Sequence, residues 1–378
     1  MILHCDLDSF FVSVEEAKNP ALKRKITAVG GNVYGRGVIA SASYGARQYG
    51  IRAGMPAYTA LKICPALIII DPDFRSYGDF SKRFFEILSS FSPDIEVMSV
   101  DEAYLDTKGM EWLFTGPRKI AEGIKAATKE KLGINVTIGG GSRKYIAKAA
   151  SRVSKPDGLL LVEDEQAFIA ELPVTRISQV GEKFGNVLAA MGIRTVRDVL
   201  SYDRDFWERT LGKKGAWLYD VASLGSADDI CRSDPLPRSL GNSLTFASDL
   251  LFEKADEELK KLCGKVGRRL RRDGLRGRTV ELTVRYDDFT TLTNSLTLSF
   301  PTDMSGFIYN AARGMFEKYS GYDGKFRLLG VTVSNISEAL FDECDLWTCK
   351  RTERTRKIYT AIDAIQKKYP ALRLDYLG

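Results

Sequence analysis

The first 165 residues alternate between short, continuous apolar runs and longer stretches in which apolar positions recur at helical spacing. A short continuous run is typical of a buried strand, and apolar residues every three or four positions are typical of an amphipathic helix. Strand-length runs fall at residues 1–5, 26–30, 95–100 and 135–139. Helical spacing falls at residues 13–19, 57–63, 77–91, 117–132 and 143–153. This part of the chain is therefore predicted to form a sheet flanked by helices.

Beyond residue 165 the pattern changes twice. Residues 166–225 show helical spacing with glycine turns, and residues 226–238 are polar, contain two prolines and lack periodicity, which is typical of a tether. The next segment predicts strand, helix, strand, strand, helix and strand at residues 239–247, 254–272, 279–286, 290–299, 304–319 and 325–333. This β-α-β-β-α-β order predicts a small α+β sandwich, and residues 351–368 predict a helix in the tail. The fold class is therefore α+β, with several domains.

Carboxylates stand at the ends of two of the predicted strands. Asp6 and Asp8 follow the first run, and Asp101 and Glu102 follow the run at 95–100. Carboxylates that converge repel one another unless a cation lies between them, and two Mg²⁺ ions about 3.5–4 Å apart are a common device for attack on phosphorus. The pattern therefore favours nucleotidyl transfer, although an isolated Asp-Glu pair is also typical of a solvated turn.

The glycine run Gly139-Gly140-Gly141 lies between a predicted strand and a predicted helix. It lacks the Lys-Ser/Thr ending of a phosphate-binding P-loop, and the dinucleotide-binding fingerprint is also missing. We therefore interpret it as a turn in which helix and strand pack closely.

Composition narrows the chemistry further. The 378 residues are 44% hydrophobic and 28% charged, values that are ordinary for a globular protein. No apolar run reaches the length of a membrane span, and the six cysteines lack zinc-like spacing, so we expect a cytoplasmic protein with reduced thiols. His4 is the single histidine and is expected to pack in the first strand, so catalysis should depend on carboxylates, metals, lysine or tyrosine.

Basic residues are concentrated near the end of the 254–272 helix. Seven cations and one acid, Asp273, fall within fourteen residues, which suits the phosphates of a duplex, although a basic helix face is often only solvated. The cations are Lys265, Arg268, Arg269, Arg271, Arg272, Arg276 and Arg278.

Gly181, in the 166–225 segment, resembles part of a helix-hairpin-helix module that holds a DNA phosphate. Gln179, however, stands where the first hairpin glycine is usual.

Four motifs, in this order, resemble the Y-family translesion DNA polymerases of the bacterial DinB/UmuC type. They are Asp6-Leu7-Asp8-Ser9-Phe10-Phe11, Ala42-Ser43-Tyr44-Gly45-Ala46-Arg47, Ser99-Val100-Asp101-Glu102-Ala103-Tyr104-Leu105-Asp106 and Ser154-Lys155-Pro156-Asp157-Gly158. The resemblance extends from Met1 to about residue 338 and implies a right-hand polymerase. Its parts would be a palm (1–19 and 74–164), small fingers (20–73), a thumb (165–225), a linker (226–238), a little finger (239–338) and a tail (339–378).

The resemblance also implies the catalytic centre. Asp6, Asp101 and Glu102 would bind two Mg²⁺ ions, or Mn²⁺ in their place, and the Leu7 carbonyl would complete the nucleotide-side metal site. One ion would activate the primer 3′-hydroxyl and the other would neutralise the triphosphate. A protein base would not be needed.

The nucleotide-binding residues follow from the same resemblance. Tyr44, Arg47 and Lys155 would hold the triphosphate, although a packed aromatic ring for Tyr44 and a surface ion pair for Arg47 are the structural alternatives. Phe11 would be the steric gate against a ribose 2′-hydroxyl, and Phe10 would pack and offer its backbone amide to phosphate. The small residues Val38, Ala40 and Ser41 would form the roof over the nascent base pair and leave room for damaged templates.

The implied partners are primed template DNA and deoxynucleoside triphosphates, bound by a monomer outside any membrane, with low fidelity because no proofreading exonuclease is recognisable. The string Glu343-Cys344-Asp345-Leu346-Trp347 is similar to a clamp-binding pentapeptide, and we hypothesise that it docks a sliding clamp. Two other classes of protein are alternatives: a non-catalytic DNA-binding paralogue with a vestigial palm, and a palm-fold cyclase. The complete carboxylate set disfavours the first, and the predicted thumb and basic little finger disfavour the second.

Overall fold

The computed structural model describes residues 1–110, 113–225, 230, 236–339 and 349–369. The chain divides into two compact units, Met1–Ser233 and Asp234–Gly378. The boundary between them falls within residues 226–238, the stretch for which the sequence predicts a linker.

The first unit mixes short strands with helices. Its strands β1 to β8 are Ile2–Leu7, Thr27–Gly30, Ile39–Ala42, Ile68–Ile70, Ile95–Val97, Glu102–Asp106, Val136–Gly141 and Leu159–Leu161. Its helices α1 to α11 are Phe10–Lys18, Tyr44–Gln48, Ala57–Ile63, Phe74–Ser89, Pro117–Leu132, Lys144–Ser154, Glu165–Ala170, Glu182–Ala190, Val196–Val199, Arg204–Leu211 and Lys213–Ala222.

The main sheet has the order β5-β6-β1-β7-β8, so the N-terminal strand lies at its centre. β1 is antiparallel to both β6 and β7, and its buried Leu3, Cys5 and Leu7 belong to the same core as Phe84 of α4 and Ile124 of α5. β1 is buried at every position except the half-buried Asp6. Leu3, Cys5 and Leu7 alternate with His4 and Asp6, as expected when successive side chains of a strand point to opposite faces of the sheet.

The apolar run at 95–100 is not a single strand, which corrects the sequence-based expectation. β5 ends at Val97, and β6 begins at Glu102 after a bend. The Ser99 hydroxyl lies 2.5 Å from Asp101 Oδ1, and such local Ser/Asp hydrogen bonds compete with strand pairing. Asp101 and Glu102 therefore stand at the start of a strand, not at the end of one.

The glycine run lies within β7, not in a turn after it, but the prediction of close helix–strand packing describes its role. A Cβ on Gly139 would lie 2.2 Å from the Ala147 carbonyl oxygen and 2.2 Å from the Ser151 amide nitrogen, both in α6. Only glycine allows this approach, which brings α6 directly onto the central strands.

A smaller sheet with the order β3-β2-β4 packs with α2 and α3 around a core of small and aliphatic side chains. This is the region in which the sequence predicts small fingers. The helices α7 to α11 form a further cluster whose core includes Trp207. That ring is fully buried, and its Nε1–H donates to the Val199 carbonyl at 2.8 Å.

The second unit has the predicted β-α-β-β-α-β order. Its strands β9 to β12 are Ser239–Leu250, Leu275–Tyr286, Thr291–Thr302 and Phe326–Glu338, and its helices α12 and α13 are Phe252–Arg272 and Ser305–Phe316. The helix α14, Cys349–Lys368, follows the sandwich. The antiparallel sheet has the order β11-β10-β12-β9. Alternate residues of β10, including Val280, Leu282 and Val284, pack against α12 and α13, as expected for a sheet with one covered face.

The tail helix α14 packs against the sandwich. Tyr359 is buried, and its hydroxyl accepts a hydrogen bond from the Gly306 amide at 3.0 Å. The Arg271 guanidinium lies over the Tyr359 ring and donates to Asp363 at 2.7 Å. In the part of the chain that the structure describes, no helix is long and apolar enough to cross a membrane.

Candidate active site

Antiparallel pairing of β1 with β6 brings the acidic motifs together. Asp6 is the register partner of Glu102, so the end of one strand faces the beginning of the other. Ligand atoms of His4, Asp6 and Glu102 all lie within 4.8 Å of one another. The sequence prediction that carboxylates of two strands converge therefore holds for Asp6 and Glu102, although the geometry differs from two parallel strand ends.

Glu102 is held by two basic side chains. The Lys148 ammonium donates to its two carboxylate oxygens at 2.7 and 2.9 Å, and His4 Nε2 lies 3.4 Å from Oε2. His4 and Lys148 together lower the pKa of Glu102 to about 2, against the effect of burial. His4 is itself fully buried, and burial lowers its pKa. Glu102 is therefore ionised at neutral pH, beside an uncharged imidazole.

Asp6 and Asp101 face a cavity of about 420 Å³ that Leu7 also lines. Burial raises the pKa of Asp6, and this effect is opposed by Lys155, whose ammonium lies 2.5 Å from Asp6 Oδ1. Asp101 also raises the Asp6 pKa, as expected for two carboxylates in one site. Asp101 lies outside the His4, Asp6 and Glu102 group, and its carboxylate turns toward Ser99.

The donor set fits hard divalent cations. Oxygen ligands from carboxylates are those that Mg²⁺ and Mn²⁺ prefer. Asp6 and Asp101 line the cavity, and Glu102 is the register partner of Asp6. Asp6 and Glu102 each have a lysine as counter-ion, so part of their negative charge is already balanced. The Leu7 carbonyl is the further ligand that the sequence predicts.

The cavity collects most of the predicted nucleotide-binding residues. Besides the residues already described, it is lined by Ser9, Phe10, Phe11, Ala40, Ser41, Ala42, Arg47, Arg52, Ala53 and Lys155. Of the three predicted roof residues, Ala40 and Ser41 line the cavity, and Val38 pairs with Pro56 in an isolated β-bridge. Arg52 also lines the cavity, but the sequence did not predict this cation because it lies outside the four motifs, five residues after Arg47.

Phe11 is supported by an aromatic cluster. Its ring stacks on Tyr77 of α4 with centroids 4.4 Å apart and an interplanar angle of 22°, and Phe74 meets it edge-on at 6.2 Å. The Tyr77 hydroxyl donates to Glu15 at 2.8 Å. Phe11 therefore has a fixed orientation at the cavity wall, and the adjacent Phe10 is buried, as predicted.

Tyr44, for which the sequence predicts a contact with the triphosphate, is bound to Asp8. Its hydroxyl donates to Asp8 at 2.9 Å, so its single proton is engaged, and burial raises its pKa. Tyr44 lines a second cavity of about 370 Å³, together with Asp8, Lys23, Lys129 and Asp157. The predicted triphosphate contact therefore requires that the hydroxyl exchange its partner.

Asp8 is a functional-site residue whose role the sequence analysis missed. It is almost fully buried and accepts hydrogen bonds from Tyr44, from the Thr137 hydroxyl at 2.9 and 3.0 Å and from the Asp157 amide at 2.7 Å. These contacts join three of the four family motifs and β7. The signal was the Asp-x-Asp spacing, because alternate positions near a strand end point to the same side, but the sequence could not identify the donors.

Arg47 keeps one edge available. Its Nε donates to the Ala42 carbonyl at 3.0 Å, its guanidinium lies 4.8 Å from the centre of the Tyr44 ring, and the side chain is exposed. The guanidinium carries four further N–H groups, which suit phosphate oxygens.

The predicted hairpin has Gln179 where its first glycine is usual. Gln179 has φ of +74°, a left-handed conformation that favours glycine, and Gly181 is the N-cap of α8. Gln179 therefore adopts a backbone conformation that is typical of glycine.

The predicted basic cluster is not one free surface. Arg276 and Arg278 belong to β10 rather than to the helix, because Gly274 ends α12 in a left-handed turn. Arg271 is bound to Asp363 and Arg276 lies beside Asp303 at 3.9 Å, each with about a tenth of its side chain exposed. Arg268 and Arg272 face Asp363 and Asp273, and Arg269 and Arg278 donate to the carbonyls of Gly241 and Leu298. DNA contact by these residues stays a prediction, with Arg271 and Arg276 the least available.

The clamp-like string at residues 343–347 lies outside the described residues.

Family models match both units of the chain. The impB/mucB/samB family matches residues 5–152, and the impB/mucB/samB family C-terminal domain matches residues 237–345. DNA polymerase IV of Desulfatibacillum aliphaticivorans is 35% identical over 379 residues, which cover 98% of this chain and 94% of that protein. DNA polymerase IV of Alkalilimnicola ehrlichii is 36% identical over 339 residues, which cover 89% of this chain and 95% of that protein.

Solved structures give the same result. A Y-family DNA polymerase chimera, Dbh-Dpo4(243-245)-Dbh, matches with a TM-score of 0.79 and 27% identity over 89% of this chain and 98% of that one. The insertion ternary complex of Dbh DNA polymerase matches with a TM-score of 0.63 at 27% identity, with the same coverage of 89% and 98%. The chain therefore belongs to the impB/mucB/samB family and is a DNA-directed DNA polymerase of the DinB-type Y family.

Proposed function

We propose that this polymerase copies damaged templates by two-metal nucleotidyl transfer, without proofreading. The observation that carries the proposal is the pairing of Asp6 with Glu102 beside Asp101, at the edge of a cavity lined by Phe11, Arg47 and Lys155. Relatives named DNA polymerase IV and a neighbour solved as an insertion ternary complex support the same class of reaction.

Asp6, Asp101 and Glu102 would hold the two Mg²⁺ ions, with the Leu7 carbonyl as an added ligand. When bound, such ions activate the attacking hydroxyl and neutralise charge on the phosphates. The chain's own residues then have three tasks. Lys155 and Arg47 bind and orient the triphosphate through charge-assisted hydrogen bonds, the carboxylates position the ions, and Phe11 excludes a ribose 2′-hydroxyl.

Template tolerance would follow from the roof of the cavity. Ala40, Ser41 and Ala42 present small side chains to the site, so a distorted base pair meets few contacts that could reject it. Weak shape selection lowers the energetic difference between correct and incorrect pairs, and we therefore expect error-prone synthesis.

The proposed partners are primed template DNA and deoxynucleoside triphosphates, bound by a monomeric polymerase in the cytoplasm. The exposed arginines of the predicted basic cluster would contact duplex phosphates. Docking of a sliding clamp through residues 343–347 stays a prediction, and a pull-down in which Leu346→Ala plus Trp347→Ala leaves clamp binding intact would remove it.

The direct test is primer extension with Mg²⁺ on undamaged and abasic templates. We expect the native chain to extend both, and Asp101→Ala plus Glu102→Ala to bind DNA but to extend neither. Arg209→Ala, which changes an exposed residue of α10, is the matched control and should retain extension. If the native chain binds duplex but extends nothing, the non-catalytic class replaces this proposal. If it stops at the abasic site, bypass of abasic sites is excluded.

A further inference from the structure

Helix α6 and the residue that follows it supply a lysine to each of three palm carboxylates. Lys144 binds Glu96 at 3.0 and 3.2 Å, Lys148 binds Glu102 at 2.7 and 2.9 Å, and Lys155 binds Asp6 at 2.5 Å. Lys144 and Lys148 are one turn apart, so they lie on the same face of the helix. Among these pairs, Lys148 with Glu102 has no role in the sequence analysis, although it contacts a predicted metal ligand.

The pair is rigidly built. The side chains of Lys148 and Glu102 are only 14% and 20% exposed. The Ser151 hydroxyl lies 2.9 Å from the Lys148 carbonyl and 2.8 Å from His4 Nδ1, and His4 Nε2 approaches Glu102 on its other side. Because α6 is pressed against β7 at Gly139, the lysine cannot withdraw by a movement of its backbone without breaking this packing.

Both oxygens of Glu102 therefore accept a hydrogen bond from one ammonium group. A metal ion at this carboxylate must compete with that ammonium group for the oxygen lone pairs and lies close to its positive charge. We propose that Lys148 is a built-in competitor of the metal ion at Glu102, a positioning residue that sets the metal concentration at which the site fills. This inference rests on the proposed two-metal function of Asp6, Asp101 and Glu102.

Removal of the ammonium group should have two opposite effects. The carboxylates lose a compensating charge, so the divalent cation is attracted more strongly and meets no competitor. Glu102 also loses the contact that fixes its orientation, so geometry for the reaction becomes worse. We therefore expect Lys148 variants without the charge to bind the metal ion more tightly and to extend primers more slowly. General damage to the fold would instead weaken metal binding and slow extension together.

The experiment is a Mn²⁺ titration of the full chain without DNA or nucleotide, in which electron paramagnetic resonance measures the free ion. We expect Lys148→Met to lower the half-saturating Mn²⁺ concentration about tenfold, which corresponds to about 1.4 kcal/mol. Lys148→Arg keeps the charge and should stay near the native value. Primer extension at saturating Mn²⁺ should be slower for Lys148→Met than for the native chain.

Lys144→Met is the matched control. It removes an ion pair of similar burial, 14% and 17% exposed, from the same face of the same helix but away from the metal ligands. It should leave Mn²⁺ binding unchanged, and circular dichroism should show that all three variants are folded.

The outcomes separate this inference from the function beneath it. If Glu102→Gln weakens Mn²⁺ binding while Lys148→Met leaves it unchanged or weakens it, the competition is refuted and the metal site stands. If the native chain binds no Mn²⁺, or if neither Asp6→Asn nor Glu102→Gln weakens Mn²⁺ binding, the proposed metal site is refuted. The inference about Lys148 is then refuted with it.

Discussion

Asp8 shows how a single buried carboxylate can organise a site without reacting in it. Its two oxygens accept from the Tyr44 hydroxyl of α2, the Thr137 hydroxyl of β7 and the Asp157 amide, two residues after Lys155. A buried carboxylate is costly unless its oxygens are satisfied, and here the satisfying donors come from three distant parts of the sequence. The residue therefore joins Tyr44 and the Asp157 amide to the strand that bears Asp6.

Asp8→Asn should destabilise the first unit. The amide is neutral and has one acceptor oxygen instead of two, so the hydrogen bonds lose their charge assistance and the Tyr44 or Thr137 hydroxyl must reorient to accept from the new donor. We expect a loss of about 2–3 kcal/mol in the free energy of unfolding, since hydrogen bonds to charged groups are the stronger kind. Chemical denaturation measures it.

Tyr44→Phe serves as the comparison because it removes only one of these hydrogen bonds. Its expected loss is about 1–2 kcal/mol, below that of Asp8→Asn. Equal stability of the native chain and Asp8→Asn would show that Asp8 does not organise the site.

At the scale of elements, the contact between α1 and α4 decides how firmly the cavity wall is held. α1 carries Phe11, and α4 carries the two rings that stack on it and meet its edge. Aromatic pairs of this kind add about 0.5–1.5 kcal/mol beyond the area they bury. The steric gate is thus predicted to depend on a residue 66 positions away in the sequence.

Tyr77→Leu should loosen the gate while Phe11 itself is unchanged. We expect the preference for deoxynucleotides over ribonucleotides to fall about tenfold, because a mobile ring excludes the 2′-hydroxyl less strictly. Single-nucleotide insertion kinetics with each sugar provide the measurement.

Tyr77→Phe is the control, because it retains the stacked ring and loses only the hydroxyl contact with Glu15. It should keep the native preference. A preference that is unchanged in Tyr77→Leu would show that the support of the ring by α4 is irrelevant to sugar selection.

For the whole molecule, we expect the distribution of positive charge to determine how the second unit binds DNA. The formal charge of the chain is only +6, and several arginines of the basic cluster already face acids. Arg271 is committed to Asp363 on α14, so the tail helix takes part of the charge that the sequence assigned to DNA. Exposed arginines with backbone partners, such as Arg269 and Arg278, retain N–H groups for phosphate.

The salt dependence of duplex binding should reflect this division. Each phosphate contact contributes about 0.9 to the slope of log K against log salt, so Arg269→Ala plus Arg278→Ala should reduce the slope by up to about two. Arg271→Ala should change the slope little, because its charge is already paired. A titration by fluorescence anisotropy at several salt concentrations measures both.

The opposite result for the two salt slopes would contradict this assignment of paired and available arginines. If Arg271→Ala changed the slope and the double variant did not, the ion pair with Asp363 would have to open on DNA.

Local patterns in the sequence determined much of this protein. Apolar runs and helical spacing located most elements, and the β-α-β-β-α-β order of the second unit was correct, because burial imposes a period that one chain segment displays by itself. The four motifs also contain most of the residues that line the cavity, although not Ala40, Ser41, Arg52 or Ala53. Chemistry of this type needs particular side chains, and these stay visible wherever they stand in the sequence.

Tertiary structure alone decided how those residues meet. The sequence could not show that Asp101 and Glu102 begin a strand, since an apolar run gives no sign of the Ser99 bend within it. Nor could it show that Lys148 faces Glu102, that Asp8 receives Tyr44 or that Asp363 binds Arg271, because each pair joins segments far apart in the chain. Such partners are fixed by strand register and by the approach of α6 to Gly139, and both are properties of the folded packing.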